Sequence, residues 1–235
     1  MELLIDPLFD LSGMLCEEES RHCIKVMRHR AGDTVSICDG RGTLYTGRIA
    51  EADSRGCLIA DIEATVMPGR GYGVHIAVAP TKNIDRLEWF VEKATELGID
   101  RITPIVCDHS ERTRLRLDRL ERIATAAAKQ SLKYRLPLIS EPVEADRLMR
   151  QSTESGRFIL HCNDNPKPHL LDVVTPATDV VVLIGPEGDF SDREIETARA
   201  HRFVEATLGQ SRLRTETAAM AACHIVNLRN EAGRR

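Results

Sequence analysis

Apolar and polar positions follow two different patterns along the chain, and the pattern changes near residue 70. Before that point, short β-like runs lie about ten residues apart between glycine- and aspartate-containing breaks, which is typical of a small barrel or sandwich. The predicted strands are Leu3 to Ile5, Thr34 to Cys38, Leu44 to Ala50 and Cys57 to Val66. From Val74 onward apolar strands alternate with amphipathic helices, which predicts a largely parallel sheet with helices on its faces.

Between the two patterns lies Met67-Pro68-Gly69-Arg70-Gly71-Tyr72-Gly73. No periodic pattern crosses this segment, and glycine and proline at such density are typical of a linker between domains. We therefore predict two domains, residues 1–68 and residues 74–235.

Basic residues in three places are candidates for RNA contacts. A helix predicted over Glu17 to Arg30 is basic outside its apolar stripe, and residues 112–135 hold eight Lys or Arg against two acidic residues. The candidates are Arg21, Lys25 and Arg28 on the helix, Lys82 after the strand that begins at Val74, and Arg112 and Arg114 in the basic segment. Phosphate contacts and an ordinary solvated surface both explain each side chain taken alone.

Composition narrows the class of protein. Apolar residues make up 42% and charged residues 29% of the 235 positions, as in ordinary globular proteins. Seven scattered cysteines without a Cys-x-x-Cys pair indicate reduced thiols in a cytoplasmic protein, with neither a disulfide framework nor a metal site. No apolar run approaches the roughly 20 residues of a membrane span. We therefore expect a soluble protein without a membrane partner, and the net charge of -4 argues against nonspecific coating of nucleic acid.

Two glycine-containing turns at the ends of predicted strands are the strongest indication of a ligand site. Gly185-Pro186-Glu187-Gly188 follows the strand Val180 to Ile184, and Gly209-Gln210-Ser211 follows the strand Phe203 to Leu208. Open α/β sheets bind their ligands at the carboxyl ends of such strands. Neither turn has the glycine pattern of dinucleotide or phosphate-binding loops, so a nicotinamide cofactor and ATP are not supported.

Arg214 and Glu216 lie beside the second turn, at the start of the last predicted helix. Each has a plain structural explanation, since an acidic residue in a first turn favours the helix dipole. Together, however, a cation and a carboxylate can orient a nucleophile and accept its proton. His161 ends another predicted strand, Arg157 to His161, where a structural role and a general base are both open.

These segments carry a family resemblance. L-I-G-P-E-G-D-F-S at 183–191 and L-G-Q-S-R-L-R-T-E-T-A at 208–218 resemble the paired signatures of the RsmE-type ribosomal RNA uridine-N3 methyltransferases of the SPOUT class. W-F-V-E-K-A-T-E-L-G-I-D-R-I-T-P at 89–104 is similar to the family's helix and strand in that region. H-C-I-K-V-M-R at 22–28 resembles its PUA-like N-terminal domain. The match spans nearly the whole chain.

The resemblance implies a trefoil-knotted α/β methyltransferase domain with a parallel sheet, preceded by a small β-barrel, PUA-like domain that binds RNA. It implies a homodimer that transfers a methyl group from S-adenosylmethionine to N3 of a uridine in the 16S ribosomal RNA of the small subunit. Arg214 and Glu216 are then the candidates for contact with the uridine and its proton. The implied cofactor-binding residues are Leu160, His161, Ile184, Gly185, Pro186, Glu187, Gly188, Leu208, Gly209, Ser211, Leu213 and Arg214.

Two positions depart from the family's pattern. Asp189 stands where many members have a third glycine, and Lys129-Gln130-Ser131-Leu132-Lys133 stands where many have Glu-Gln-Ser-x-Arg. Two alternatives stay open, namely a SPOUT methyltransferase that acts on transfer RNA and an RNA-binding module without catalysis. Binding of S-adenosylmethionine separates the second alternative from an enzyme.

Overall fold

The computed structural model describes residues 2–232, so residues 1 and 233–235, at the outer ends of the two predicted domains, lie outside the described residues. Contacts within the chain divide it into two compact units. The first is Met1–Gly69 with Thr125–Leu136, and the second is Arg70–Ala124 with Pro137–Arg235. Nothing in the apolar pattern indicates that Thr125–Leu136 belongs with the N-terminal strands.

The first unit is built on a four-stranded sheet. Its strands are β1 (Leu3–Ile5), β2 (Thr34–Cys38), β3 (Thr43–Glu51) and β4 (Leu58–Val66). They lie in chain order, with β1 parallel to β2 and the other neighbours antiparallel. Buried aliphatic residues such as Leu4, Ile37 and Ile59 pack with Phe9 in its core. The predicted separate N-terminal β module is thus confirmed.

The helix of the first unit is shorter than its pattern predicts. α1 (Glu17–Arg21) continues into one π-helical turn, His22–Val26. The prediction that the helix reaches Arg30 is wrong, because Arg28 adopts a left-handed conformation with φ 64°. Buried Glu19 pairs with Lys129 and accepts a hydrogen bond from the Ile5 amide at 3.3 Å. This buried ion pair fastens the returning segment Thr125–Leu136 to α1 and β1.

The second unit is a seven-stranded parallel sheet. Its strands are β5 (Val74–Val78), β6 (Arg101–Val106), β7 (Leu138–Ile139), β8 (Val143–Glu144), β9 (Gly156–Leu160), β10 (Val180–Ile184) and β11 (Val204–Ala206). Every residue of β5 and β10 is buried, as expected for parallel strands covered on both faces. The predicted α/β class with a parallel sheet is confirmed.

Helices cover this sheet. They are α2 (Ile84–Leu97), α3 (Leu117–Gln130, which ends in the first unit), α4 (Ala145–Gln151), α5 (Leu170–Val173), α6 (Asp192–Ala200) and α7 (Thr215–Ala232). α2 ends at Gly98 in a left-handed cap, and Ser191 with Glu194 forms a capping box at the start of α6. Within residues 2–232 no helix is both long enough and apolar enough to cross a membrane.

The order of strands positions the site. The sheet runs β11-β9-β10-β5-β6-β7, so β10 lies between β5 and β9, and β11 lies beyond β9. Because these strands are parallel, the loops after β9, β10 and β11 all leave from the same edge of the sheet. α7 packs against β5 and β10, and its first turn lies at that edge.

Candidate active site

A cavity of about 350 Å³ opens where the loops after β9, β10 and β11 meet. Its volume lies within the range of small-molecule pockets, roughly 300–1,000 Å³. Seven residues predicted to bind a cofactor line it: Leu160, Ile184, Gly185, Pro186, Glu187, Leu213 and Arg214. Five further lining residues escaped the sequence prediction: Cys162, Asp189, Arg212, Thr215 and Ala218.

The turn that begins at Gly185 is tightly packed. A Cβ atom on Gly185 would lie 3.0 Å from Phe190 Cδ2 and 3.3 Å from the Phe190 nitrogen, so only glycine fits without movement. The Gly185 carbonyl accepts a hydrogen bond from the Thr215 hydroxyl at 3.1 Å. The end of β10 and the first turn of α7 are therefore joined directly beneath the cavity.

Asp189, at the position where the resemblance leads us to expect a glycine, has the backbone conformation of one. Its φ is 63°, in the left-handed region that favours glycine but that Asp and Asn tolerate better than other residues. The carboxylate accepts hydrogen bonds from the amides of Cys162 at 2.7 Å and Phe190 at 2.8 Å. Asp189 thus ties the loop after β9 to the loop after β10.

His161 is engaged within the protein on both ring nitrogens. Nε2 lies 2.7 Å from Glu205 Oε2, and Nδ1 accepts from the Asn163 amide at 3.3 Å. Glu205 also accepts from Arg199 Nε at 2.5 Å and from Asn165 Nδ2 at 2.9 Å. Burial lowers the pKa of His161, and the Arg199 hydrogen bond leads in holding the pKa of Glu205 at about 2. A neutral His161 that donates from Nε2 to the Glu205 carboxylate satisfies all these contacts, which favours the structural explanation of its side chain.

The remaining residues predicted for cofactor binding lie outside the cavity lining. Gly209 has φ 112° and its amide donates to the Thr207 hydroxyl at 3.1 Å. A Cβ on Gly188 would lie 3.0 Å from His109 Cβ. The residues outside the lining are His161, Gly188, Leu208, Gly209 and Ser211. Their contact with a cofactor stays a prediction.

Arg214 and Glu216 are two positions apart, just before and within the first turn of α7, but their surroundings differ. Arg214 is exposed on the cavity wall, and no hydrogen bond or ion pair of its side chain is found within residues 2–232. Glu216 is 8% exposed, with Oε1 3.9 Å from Arg86 Nε on α2. Its other oxygen, Oε2, is buried without a hydrogen-bond partner in the described part of the chain. Glu216 therefore faces α2, and the joint role of the two residues stays a prediction.

Three of the predicted RNA-binding residues meet in the second unit. Lys82, Arg112 and Arg114 border one open recess of about 350 Å³. Arg112 donates to the carbonyls of Thr81 at 3.3 Å and Lys82 at 2.9 Å, so it braces the loop after β5. Lys82 Nζ lies 3.0 Å from Glu111 Oε2, and Arg114 is exposed.

The other three predicted RNA-binding residues are in the first unit. Arg21 forms an exposed ion pair with Glu17 at 2.8 Å, whereas Lys25 and Arg28 are exposed. Contact of all six with RNA stays a prediction. No set of three or more His, Cys, Asp or Glu side chains within residues 2–232 is arranged to hold a metal ion.

Comparison with known proteins decides the family. Residues 70–227 match the model of an RNA methyltransferase domain, and residues 15–62 match that of an RNA methyltransferase PUA domain. The chain belongs to the RNA methyltransferase family. The family predicted from the sequence is thereby confirmed.

Curated relatives of this RNA methyltransferase carry a more specific name. Ribosomal RNA small subunit methyltransferase E of Aquifex aeolicus is 30% identical, over 91% of this chain and 93% of the relative. The protein of the same name from Bacillus subtilis is 25% identical, over 96% of this chain and 91% of the relative.

Solved structures of methyltransferases are also similar to this chain. A probable rRNA-methyltransferase from Porphyromonas gingivalis is 36% identical with a TM-score of 0.92, covering 99% of this chain and 100% of that one. A methyltransferase from Legionella pneumophila in complex with the bound cofactor SAM is 26% identical with a TM-score of 0.85, covering 98% of each chain.

The lining residues that the sequence prediction missed have recognisable signals. Thr215 and Ala218 are three positions apart on α7, so they share one helix face with the cavity. Cys162, Asp189 and Arg212 directly adjoin predicted segments. In this RNA methyltransferase, helical spacing applied to the start of α7 would have predicted Thr215 and Ala218 as lining residues.

Proposed function

We propose that this RNA methyltransferase uses S-adenosylmethionine to methylate N3 of a specific uridine in the 16S ribosomal RNA of the small subunit. The observation that carries the proposal is the cavity in which both signature segments, 183–191 and 208–218, provide the lining. The names of the Aquifex and Bacillus relatives support the substrate class, and the SAM complex of the Legionella protein supports the cofactor.

The chemistry of the lining fits this cofactor. Leu160, Ile184 and Leu213 are apolar side chains suited to the faces of an adenine ring. Glu187 and Asp189 are acidic and Arg212 and Arg214 are basic, which suits a ligand that carries both positive and negative groups. When bound, S-adenosylmethionine supplies a methyl group activated by a positively charged sulfur.

Arg214 and Glu216 are the proposed catalytic pair. Glu216, directly or through a water molecule, accepts the proton that leaves uridine N3. We assign this role to Oε2, which has no hydrogen-bond partner among residues 2–232. Arg214, exposed on the cavity wall, donates to the uracil oxygens and stabilises their developing negative charge. The cavity walls align the two reactants, which is the main contribution of a protein to a displacement of this kind.

The rest of the chain serves RNA binding and assembly in this proposal. Residues 1–68 form a PUA-like RNA-binding domain, and residues 74–235 form the catalytic, trefoil-knotted domain. The protein acts in the cytoplasm as a homodimer. The six basic residues described above contact ribosomal RNA through its phosphates.

Two assays side by side test the function. Calorimetry measures binding of S-adenosylmethionine, and labelled methyl transfer is compared on small ribosomal subunits and transfer RNA. We expect cofactor binding and label in 16S RNA, with mass spectrometry showing 3-methyluridine. Absence of cofactor binding would identify a non-catalytic RNA-binding module, and label confined to transfer RNA would identify a different methyltransferase.

The proton acceptor is tested with Glu216→Gln. We expect methyl transfer to fall by about 10²-fold or more, the range of general base catalysis, with S-adenosylmethionine still bound. Glu231→Gln is the matched control, because Glu231 is exposed on the same helix about 22 Å away along its axis. Full activity of Glu216→Gln with bound cofactor would refute the assignment.

A further inference from the structure

Arg86 connects two helices at the carboxyl edge of the sheet. It lies in the first turn of α2, and its Nε is 3.9 Å from Glu216 Oε1 in the first turn of α7. The Glu216 side chain is 10% exposed and the Arg86 side chain is 38% exposed. The ion pair therefore has one buried end and one end open to solvent.

The buried end is incompletely satisfied. A separation of 3.9 Å is too long for a hydrogen bond, and Glu216 Oε2 has no partner in residues 2–232. Leaving a buried carboxylate short of hydrogen bonds is costly, so such a group in a native protein calls for an explanation such as a ligand. Both Arg86 and Glu216 are thus arranged to complete their contacts when something else is present.

The open end has unused hydrogen-bond donors, whereas three nearby cations, Arg112, Lys82 and Arg119, are engaged. Arg112 donates to two backbone carbonyls, Lys82 pairs with Glu111, and Arg119 pairs with Glu88 at 2.6 Å. For Arg86, the described residues provide only the long contact with Glu216. A guanidinium group has five N–H donors in a planar fork, which suits two oxygens of one phosphate.

We propose that Arg86 is a positioning residue that holds Glu216 on one side and donates to a backbone phosphate of the substrate RNA on the other. The inference rests on the proposed function, because it takes Glu216 as the proton acceptor. A phosphate is favoured over a base edge, because the fork of donors on Arg86 matches two oxygens of one phosphate. Lys82, which lies two residues before α2 begins, belongs to a basic recess at the same edge of the sheet. Docking of the RNA strand would then fix the carboxylate that receives the proton.

The experiment compares Arg86→Gln and Arg86→Lys with wild type on small ribosomal subunits over a salt series. For Arg86→Gln we expect kcat to fall about tenfold or more, KM for the subunits to rise, and the slope of log KM against log salt to decrease by about one phosphate contact. Arg86→Lys keeps the charge but lacks the fork, so it should restore KM and the salt slope without restoring kcat. Arg101→Gln, at the opposite edge of the sheet on an exposed side chain, should change none of these values.

Two further measurements distinguish positioning from a structural role. In a double-mutant cycle, Arg86→Gln should cost little additional kcat once Glu216→Gln is present. The melting temperature and the affinity for S-adenosylmethionine should stay near wild type. Unchanged kcat, KM and salt slope in Arg86→Gln, or a parallel loss of melting temperature and cofactor affinity, would overturn the inference. Failure of the wild-type protein to methylate small subunits would instead refute the proposed function.

Discussion

The two halves of the sheet's carboxyl edge satisfy their polar groups in opposite ways. The loops after β9, β10 and β11 hold one another through contacts such as those of Asp189 and of His161 with Glu205. The segments after β5 and β6 instead present cationic side chains, among them the half-buried Arg86 and the exposed Arg114. The first half holds its own loops together, whereas the second, although Arg112 and Lys82 are engaged, also carries Arg114, whose side chain has no hydrogen bond or ion pair with residues 2–232.

This difference matches what each kind of ligand requires. A small-molecule pocket gains affinity by holding its lining rigid before the ligand arrives. A surface for RNA phosphates gains affinity from charges that displace counterions, which needs little rigidity. Substitutions in the first half should therefore lower stability and cofactor affinity together. Those in the second half should weaken RNA binding, and at Arg86 also kcat, without lowering stability or cofactor affinity.

The largest effect is expected at Asp189. Asp189→Ala removes two hydrogen bonds to amides and leaves alanine at φ 63°, so we expect a loss of about 3 kcal/mol in the free energy of unfolding. Asp189→Gly also removes both hydrogen bonds but adopts this φ without strain, so it should lose less, about 2 kcal/mol. Asp189→Asn keeps an acceptor and tolerates the conformation, and should lose about 1 kcal/mol.

Urea unfolding and calorimetry with S-adenosylmethionine measure this series. Asp164→Ala is the control, because Asp164 is exposed in the loop after β9 and no hydrogen bond of its side chain is found in the described chain. The same loss for all three Asp189 variants would mean that the two amide contacts and the backbone conformation do not contribute separately.

A smaller effect is expected at Gly185. Gly185→Ala places a Cβ 3.0 Å from the Phe190 ring, which should cost about 2 kcal/mol of stability and weaken cofactor binding about tenfold. Gly69→Ala is the matched control, since a Cβ there meets nothing within 4 Å, and it should change stability by less than about 0.5 kcal/mol. Equal melting temperatures for the two variants would contradict the close packing at Gly185.

Sequence patterns predicted where strands and helices lie along the chain far better than which of them lie side by side. Thr34–Cys38 and Val180–Ile184 were predicted with the observed bounds. Each is a run of β-like residues, and the second is a buried apolar run that ends at a glycine. β7 and β8, of two residues each, are too short to carry a period and were not predicted.

The contacts of the site depend on strand order, which no local pattern contains. Cys162 meets Asp189, and Arg86 meets Glu216, because β10 lies between β9 and β5. The family resemblance supplied the segments that meet at the cavity. The structure added the pairs of side chains within them, including the partner of Glu216.

The Glu205 contacts should make stability depend on pH. The folded pKa of Glu205 is about 2 and that of His161 is lowered, so both groups favour the folded state in their deprotonated forms. Stability should therefore fall as pH decreases, first below the ordinary His pKa of 6.5 and then between 4.5 and about 2.

Glu205→Gln isolates the carboxylate. It should cost about 1 kcal/mol at pH 7, because it removes the charge that pairs with Arg199, and the difference from wild type should shrink as pH falls below 4.5. Urea unfolding at several pH values measures this. A difference that stays constant down to pH 3 would show that the charge of Glu205 does not stabilise the fold.

The smallest effect on the folded protein is expected from Arg114→Gln in the open half. Arg114 is exposed, and its side chain has no hydrogen bond or ion pair with residues 2–232, so the free energy of unfolding should change by less than about 0.5 kcal/mol. Affinity for small-subunit RNA should fall several-fold at low salt and less at high salt, because one phosphate contact is lost. Arg150→Gln on α4 removes an equal charge away from the recess and should leave RNA affinity unchanged. If Arg114→Gln instead lowered stability and cofactor affinity together, the two halves of the edge would be a single coupled site.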